Sequence, residues 1–155
     1  MKKLFFAALL CLLTSVGYAQ YSMIRINNNT RCPIYMELRG GLPGSTCASA
    51  NYSSGMLTIP PMAMLSYNPA AVPGGMNCGA CIPPTLGPTG LFWSALVYKA
   101  PPPCPPAATF NLQDNACVVY TSVQYTSYNT SCMACTPDVT VTWTNMGTFI
   151  LITIS

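Results

Sequence analysis

Eight cysteines, Cys32, Cys47, Cys78, Cys81, Cys104, Cys117, Cys132 and Cys135, stand downstream of an N-terminal apolar run in a chain without histidine. An even cysteine set behind an export-type leader reads as a disulfide framework formed in an oxidising compartment. Such a framework restricts the chain to a domain whose long loops are stapled covalently. Eight cysteines allow on the order of 100 pairings, so spacing leaves the connectivity open.

The leader has the three parts of a secretory signal. Lys2 and Lys3 form a positive start, residues 4–13 are an unbroken apolar run, and Gly17 and Ala19 are small residues before a cut. This predicts a signal peptide over 1–19 and one secreted domain over 20–155, in the periplasm or outside the cell. The run is shorter than the roughly 20 residues of a membrane span. Cys11 lies inside it and leaves with it.

Beyond the leader the charged residues are Arg25, Arg31, Glu37, Arg39, Lys99, Asp114 and Asp138. The basic footprint of a nucleic-acid binder is missing. The 15 Pro and 11 Gly among 155 residues fall below the roughly 25–30 % that marks low complexity. Apolar side chains recur at strand spacing, which predicts a folded core.

Strand patterns dominate. Residues 21–26 open with one, and Asn27 to Thr30 break it with turn formers. In Cys32 to Arg39, Cys32, Ile34, Met36 and Leu38 share one face while Tyr35, Glu37 and Arg39 share the other. That alternation predicts a strand with one buried and one wet face. Residues 45–55 read as a loop. Residues 56–59 form a short strand stopped by Pro60 and Pro61, and 62–67 are expected to pair with it across that turn. Residues 68–90 are a long loop holding the first CxxC, with Cys78 and Cys81 as its cross-link. Residues 91–98 are apolar enough for a central strand. The prolines around Cys104 impose an extended stretch. Strands follow at 117–125, 139–144 and 148–154, the last two joined by a turn at Asn145–Gly147. No segment carries a helical period. The expected fold is all-β, an antiparallel Ig-like β-sandwich with long disulfide-linked loops; an open barrel is the alternative.

The Asn-Asn-Thr-x-Cys turn at Asn28–Cys32, the Ile-Pro-Pro turn at Ile59–Pro61 and the closing Trp143 hairpin resemble those of small secreted Cys-rich bacterial β-sandwich proteins of unknown function. The resemblance implies a fold and no activity.

Two CxxC pairs, Cys78/Cys81 and Cys132/Cys135, are the sharpest chemical motif. Paired thiolates at this spacing can share a zinc ion. The long gap between the pairs, the four further cysteines and the leader favour disulfides, so no metal and no cofactor are expected. Redox catalysis would need a cation or helix N-terminus beside a thiolate, and neither motif has one nearby in sequence. Without histidine no Ser-His or Cys-His pair exists. Glu37, Asp114 and Asp138 are too few and too scattered for acid–base pairs, so no enzymatic activity is expected.

Tyr120, Tyr125 and Tyr128 cluster near one strand and its turn, a candidate binding surface since tyrosine offers apolar area with a polar tip. Trp93 and Trp143 read as core. The reading is a non-enzymatic secreted protein acting through protein–protein contact, either self-assembly or an extracellular interaction module. The alternatives are a carbohydrate-binding module, with a glycan as partner, and a secreted metal or redox protein built on the CxxC pairs.

Overall fold

The computed structural model describes residues 22–44, 52–105, 107–113 and 120–155. The expected leader over 1–19, Cys47, Cys117 and Asp114 lie outside the described residues, as does the side chain of Trp93. The strands are β1 (Ile24–Asn28), β2 (Ile34–Gly41), β3 (Tyr52–Ile59), β4 (Met64–Tyr67), β5 (Leu91–Tyr98), β6 (Thr109–Leu112), β7 (Ser122–Tyr125), β8 (Val139–Asn145) and β9 (Ile150–Ile154). A single 3-10 turn at Pro69–Ala71 is the helical element among the described residues.

The strands form two sheets, ordered β4-β1-β9-β8-β7 and β3-β2-β5-β6. The protein is an all-β sandwich. Alternation explains the layers: Ile24 and Ile26 of β1, Val139, Val141 and Trp143 of β8, and Ile150, Ile152 and Ile154 of β9 turn inward. They meet Ile34, Met36 and Leu38 of β2 with Phe92, Ala95 and Val97 of β5. Removing this apolar surface from water is the main term favouring the fold. β5 is central, between β2 and β6, as its composition predicted.

The structure corrects the expected organisation in four places. First, β1 and β9 are parallel, with Ile24 opposite Ile150 and Ile26 opposite Ile152. Side-chain alternation is identical in either direction, so it cannot report strand sense. Second, β3 begins at Tyr52, inside the stretch read as a loop; Ser53, Ser54 and the positive-φ Gly55 hide its periodicity. Third, β6 was not anticipated.

Fourth, β3 and β4 do not pair: β3 joins β2, and β4 joins β1. The chain changes sheet at Pro60–Pro61, and Asn28 holds this corner. Its Nδ2 donates to the carbonyls of Cys32 at 2.8 Å, Pro60 at 2.9 Å and Ile59 at 3.3 Å. Its Oδ1 accepts from the Thr30 amide at 3.0 Å and hydroxyl at 2.7 Å. Met62 N–H closes the corner on the Thr30 carbonyl. Two short motifs thirty residues apart thus meet on one buried amide.

The wet face of β2 also differs from expectation. Glu37 and Arg39 are half-buried, but Tyr35 is only 2 % exposed. Gly40 is required where β2 passes β5, because a Cβ there would strike the Leu91 carbonyl oxygen.

Candidate functional site

The strand directions gather several chain segments at one end of the sandwich. β2 begins there and β5 ends there, since Tyr35 lies opposite Tyr98; β7 ends and β8 begins there, since Tyr125 lies opposite Val139. The Asn28 corner sits at the same end. Two loops close this pole, residues 99–108 and 126–138. Cys104–Cys132 joins them covalently. Tyr128 N–H donates to the Lys99 carbonyl at 3.0 Å, and Cys135 N–H to the Ser127 carbonyl at 2.7 Å. The Asn129 carboxamide accepts from the Ser131 and Met133 amides and shapes the tip.

At this pole, Cys32 is a buried and Cys135 a half-buried unbonded thiol, close enough for Cys32 to act on Cys135. Burial, then the neighbouring Cys32, pushes the Cys135 thiol up to about 12. Burial and the two sulfurs likewise push the Tyr125 phenol upward, and burial with Cys135 raises Tyr35. The hydroxyls of Tyr35 and Tyr125 have no hydrogen-bond partner among the described residues. The Cys135 thiol and the two phenols are therefore held uncharged, which suits packing and not nucleophilic chemistry.

The first CxxC lies at the opposite end of β2. Cys78 and Cys81 bond to each other, near Met76 and Leu86, which pack on Gly40, and Tyr52 fixes their loop through a 2.6 Å bond to the Pro83 carbonyl. The structure therefore does not bring the two CxxC pairs together, and Cys132 bonds outside its own motif. Among the described residues no group of three or more His, Cys, Asp or Glu could hold a metal ion.

The tyrosine surface is also corrected. Tyr120 is 48 % exposed, but Tyr125 is 5 % exposed, on the inward face of β7, where its ring packs on Phe110 at 5.3 Å. Tyr128 is half-buried beside Lys99, whose Nζ is 6.0 Å from the ring centroid. Tyr120 lies outside β7 and is exposed while Tyr125 is buried in it, so these two rings do not share an exposed surface.

The described carboxylates have structural partners. Glu37 accepts from Arg39 Nε and from the Tyr98 hydroxyl, each at 2.9 Å. Burial alone would raise its pKa; hydrogen bonds from Ser53, Arg39 and Tyr98 and the Arg39 charge outweigh that and hold it below its ordinary value. Asp138, just before β8, accepts from the Thr126 hydroxyl at 2.6 Å. Two cavities flank the pole. One of about 350 Å³ lies among Arg31, Thr136, Asp138 and Ser155, and one of about 220 Å³ among Tyr98, Pro102, Pro103 and Ala108. Neither presents a paired acid and base.

The outer rims of the sheets are more distinctive. The edge strands are β4 and β7 in one sheet and β3 and β6 in the other. None carries a charged residue. The strand charges, Arg25, Glu37 and Arg39, all lie on the interior strands β1 and β2. Three edges have a neighbour. Ser53 of β3 bridges Asn77, and Leu112 of β6 bridges Tyr120 beside β7. β4 has no pairing on its outer side among the described residues. Met62 and Met64, at and before this strand, are 71 % and 74 % exposed. The sequence showed where charges were few; it could not show that they avoid the edges, because edge status comes from topology.

No family model, no curated protein and no solved structure matches this chain. No helix among the described residues is long and apolar enough to cross a membrane.

Proposed function

We propose that this is a non-enzymatic secreted protein that works by contact with copies of itself, through the β4 edge. The observation that carries this reading is the uncharged β4 edge, unpaired on its outer side among the described residues, with exposed Met62 and Met64. Natural sheets guard open edges with lysine, inward-pointing charge, bulges or covering segments. β4 is short and bounded by prolines, yet it has no charge against a second copy. Arg25 on β1, opposite Ser66 of β4, lies over the Phe149 ring at 4.4 Å, which partly occupies it. Two such edges related by a two-fold axis can pair in antiparallel fashion, with methionines adapting at the seam.

Export fits the same reading. The disulfides Cys78–Cys81 and Cys104–Cys132 belong to an oxidising environment, and the leader supplies the route. The dispersed tyrosines leave the glycan alternative without a platform.

The test is the size of the oxidised protein across a concentration series, for the wild type and for Met62→Lys with Met64→Lys. Both positions are exposed, so the variant is expected to fold. Association in the wild type that the lysines abolish supports the proposal. A wild type that stays monomeric at about 0.5 mM, where even weak contacts register, refutes it.

A further inference from the structure

We infer that Cys32 and Cys135 are the two halves of a structural disulfide that bonds one sheet of the sandwich to the other across the pole. The two thiols are near neighbours: each sulfur acts on the Tyr125 phenol, and Cys32 acts on Cys135. An independent clamp fixes the segments that carry them: the Ser127 carbonyl accepts from Cys135 N–H at 2.7 Å, and the Ser127 hydroxyl donates to the Pro33 carbonyl, next to Cys32, at 3.4 Å. On the other side, Asn28 Nδ2 holds the Cys32 carbonyl. The four other described cysteines are taken by Cys78–Cys81 and Cys104–Cys132. Among the described residues each of the two thiols therefore has the other as its remaining sulfur partner, in a compartment that oxidises thiols.

The chemistry is thiol–disulfide exchange with a disulfide-donating thiol oxidase of the export route. One cysteine loses its proton to water, and its thiolate attacks a sulfur of the donor disulfide, expelling one donor thiolate. The second cysteine, deprotonated in turn, attacks the mixed disulfide and expels the other. Two cysteine thiols are oxidised to one disulfide, the donor disulfide is reduced to two thiols, and the two protons end on those thiols.

This assignment distinguishes the two CxxC motifs. Cys78–Cys81 is a local ring. In the second motif each cysteine bonds away from the other: Cys132 to the loop after β5, Cys135 to the entrance of β2. The pole is then stapled to both neighbours, and the second CxxC is a branch point and not a redox pair. This inference stands apart from the assembly reading.

Methionines make the test direct. Beyond the leader cyanogen bromide cleaves after Met23, Met36, Met56, Met62, Met64, Met76, Met133 and Met146, and so separates Cys132 from Cys135. The acidic cleavage also suppresses exchange. The exported full chain is denatured with iodoacetamide and without reductant, cleaved and weighed. The expected product is fragment 24–36 joined to fragment 134–146, parting on reduction. Fragment 24–36 carrying an alkylated Cys32, or joined to 37–56 or 77–133, overturns the assignment. As a second reading, Cys32→Ala should expose one new alkylatable thiol, in fragment 134–146. If that fragment takes no label in the variant, Cys135 is bonded elsewhere and the assignment fails.

Discussion

Replacing Asn28 by alanine tests whether the corner between the sheets rests on one side chain. The Asn28 amide is buried, and its two N–H groups serve three carbonyls while its oxygen serves the Thr30 amide and hydroxyl. Alanine leaves the carbonyls of Cys32 and Ile59 without this donor at a site too enclosed for free rehydration, although the Thr30 hydroxyl, 3.2 Å from the Cys32 carbonyl, still serves that one in part. Each stranded group costs about 1–3 kcal/mol, while the Thr30 groups, nearer solvent, recover much of their loss from water. The sum is about 3 kcal/mol. With a urea slope of about 2 kcal/mol/M for a chain of this size, the midpoint should fall by about 1.5 M. Asn28→Asp keeps the acceptor and replaces the donor by a carboxylate facing three carbonyls, so its loss should equal or exceed that of alanine. Thr30→Val removes only the hydroxyl and should cost about 1 kcal/mol. All are compared oxidised, so that the bridges are constant. An Asn28→Ala midpoint within about 0.3 M of wild type, well inside the cost of one stranded group, refutes the corner argument.

Gly40→Ala should destabilise by about 2–4 kcal/mol, since its clash is with backbone and cannot be relieved by a rotamer change; unchanged thermal unfolding would count against the β2–β5 packing described. Glu37 ionises below its ordinary value in the fold, so its contribution is present above the unfolded carboxylate pKa and is lost as pH falls through the folded one. Wild type should therefore lose more stability than Glu37→Gln between about pH 5 and pH 3, and parallel curves would contradict the hydrogen-bond account. In protein reduced under native conditions, the Cys135 thiol held near 12 against an ordinary 9.0 should be alkylated about a thousandfold more slowly at pH 8 than in urea. Equal rates would show that the pole does not bury it.

Much of the fold was legible because alternation reports faces. The inward set of β2, Ile34, Met36 and Leu38, could be read directly, as could the β8–β9 hairpin with its turn at Asn145–Gly147. Alternation carries no information on direction or on partner, so the parallel β1–β9 pair and the separation of β3 from β4 were hidden. Asn28 read as a turn former because its role depends on Ile59 and Pro60, distant in sequence. Tyr35 read as wet from its parity, but its burial near Cys135 depends on a loop almost a hundred residues away. For the candidate site, exclusions came from composition: no histidine, few carboxylates. For Tyr120, Tyr125 and Tyr128, sequence proximity carries no information on which ring is turned inward, and Tyr125 is. The unguarded β4 edge became visible only once the strand order was known.

Self-association at β4 is the proposal to be tested first. The most direct measurement is the native mass of the oxidised wild type at tens of micromolar, without reductant. The account predicts a dimer or larger multiple of the chain, reverting to the single-chain mass when Met62 and Met64 become lysine. A single-chain mass for the wild type at every concentration, or a multimer that the lysines leave intact, would contradict it.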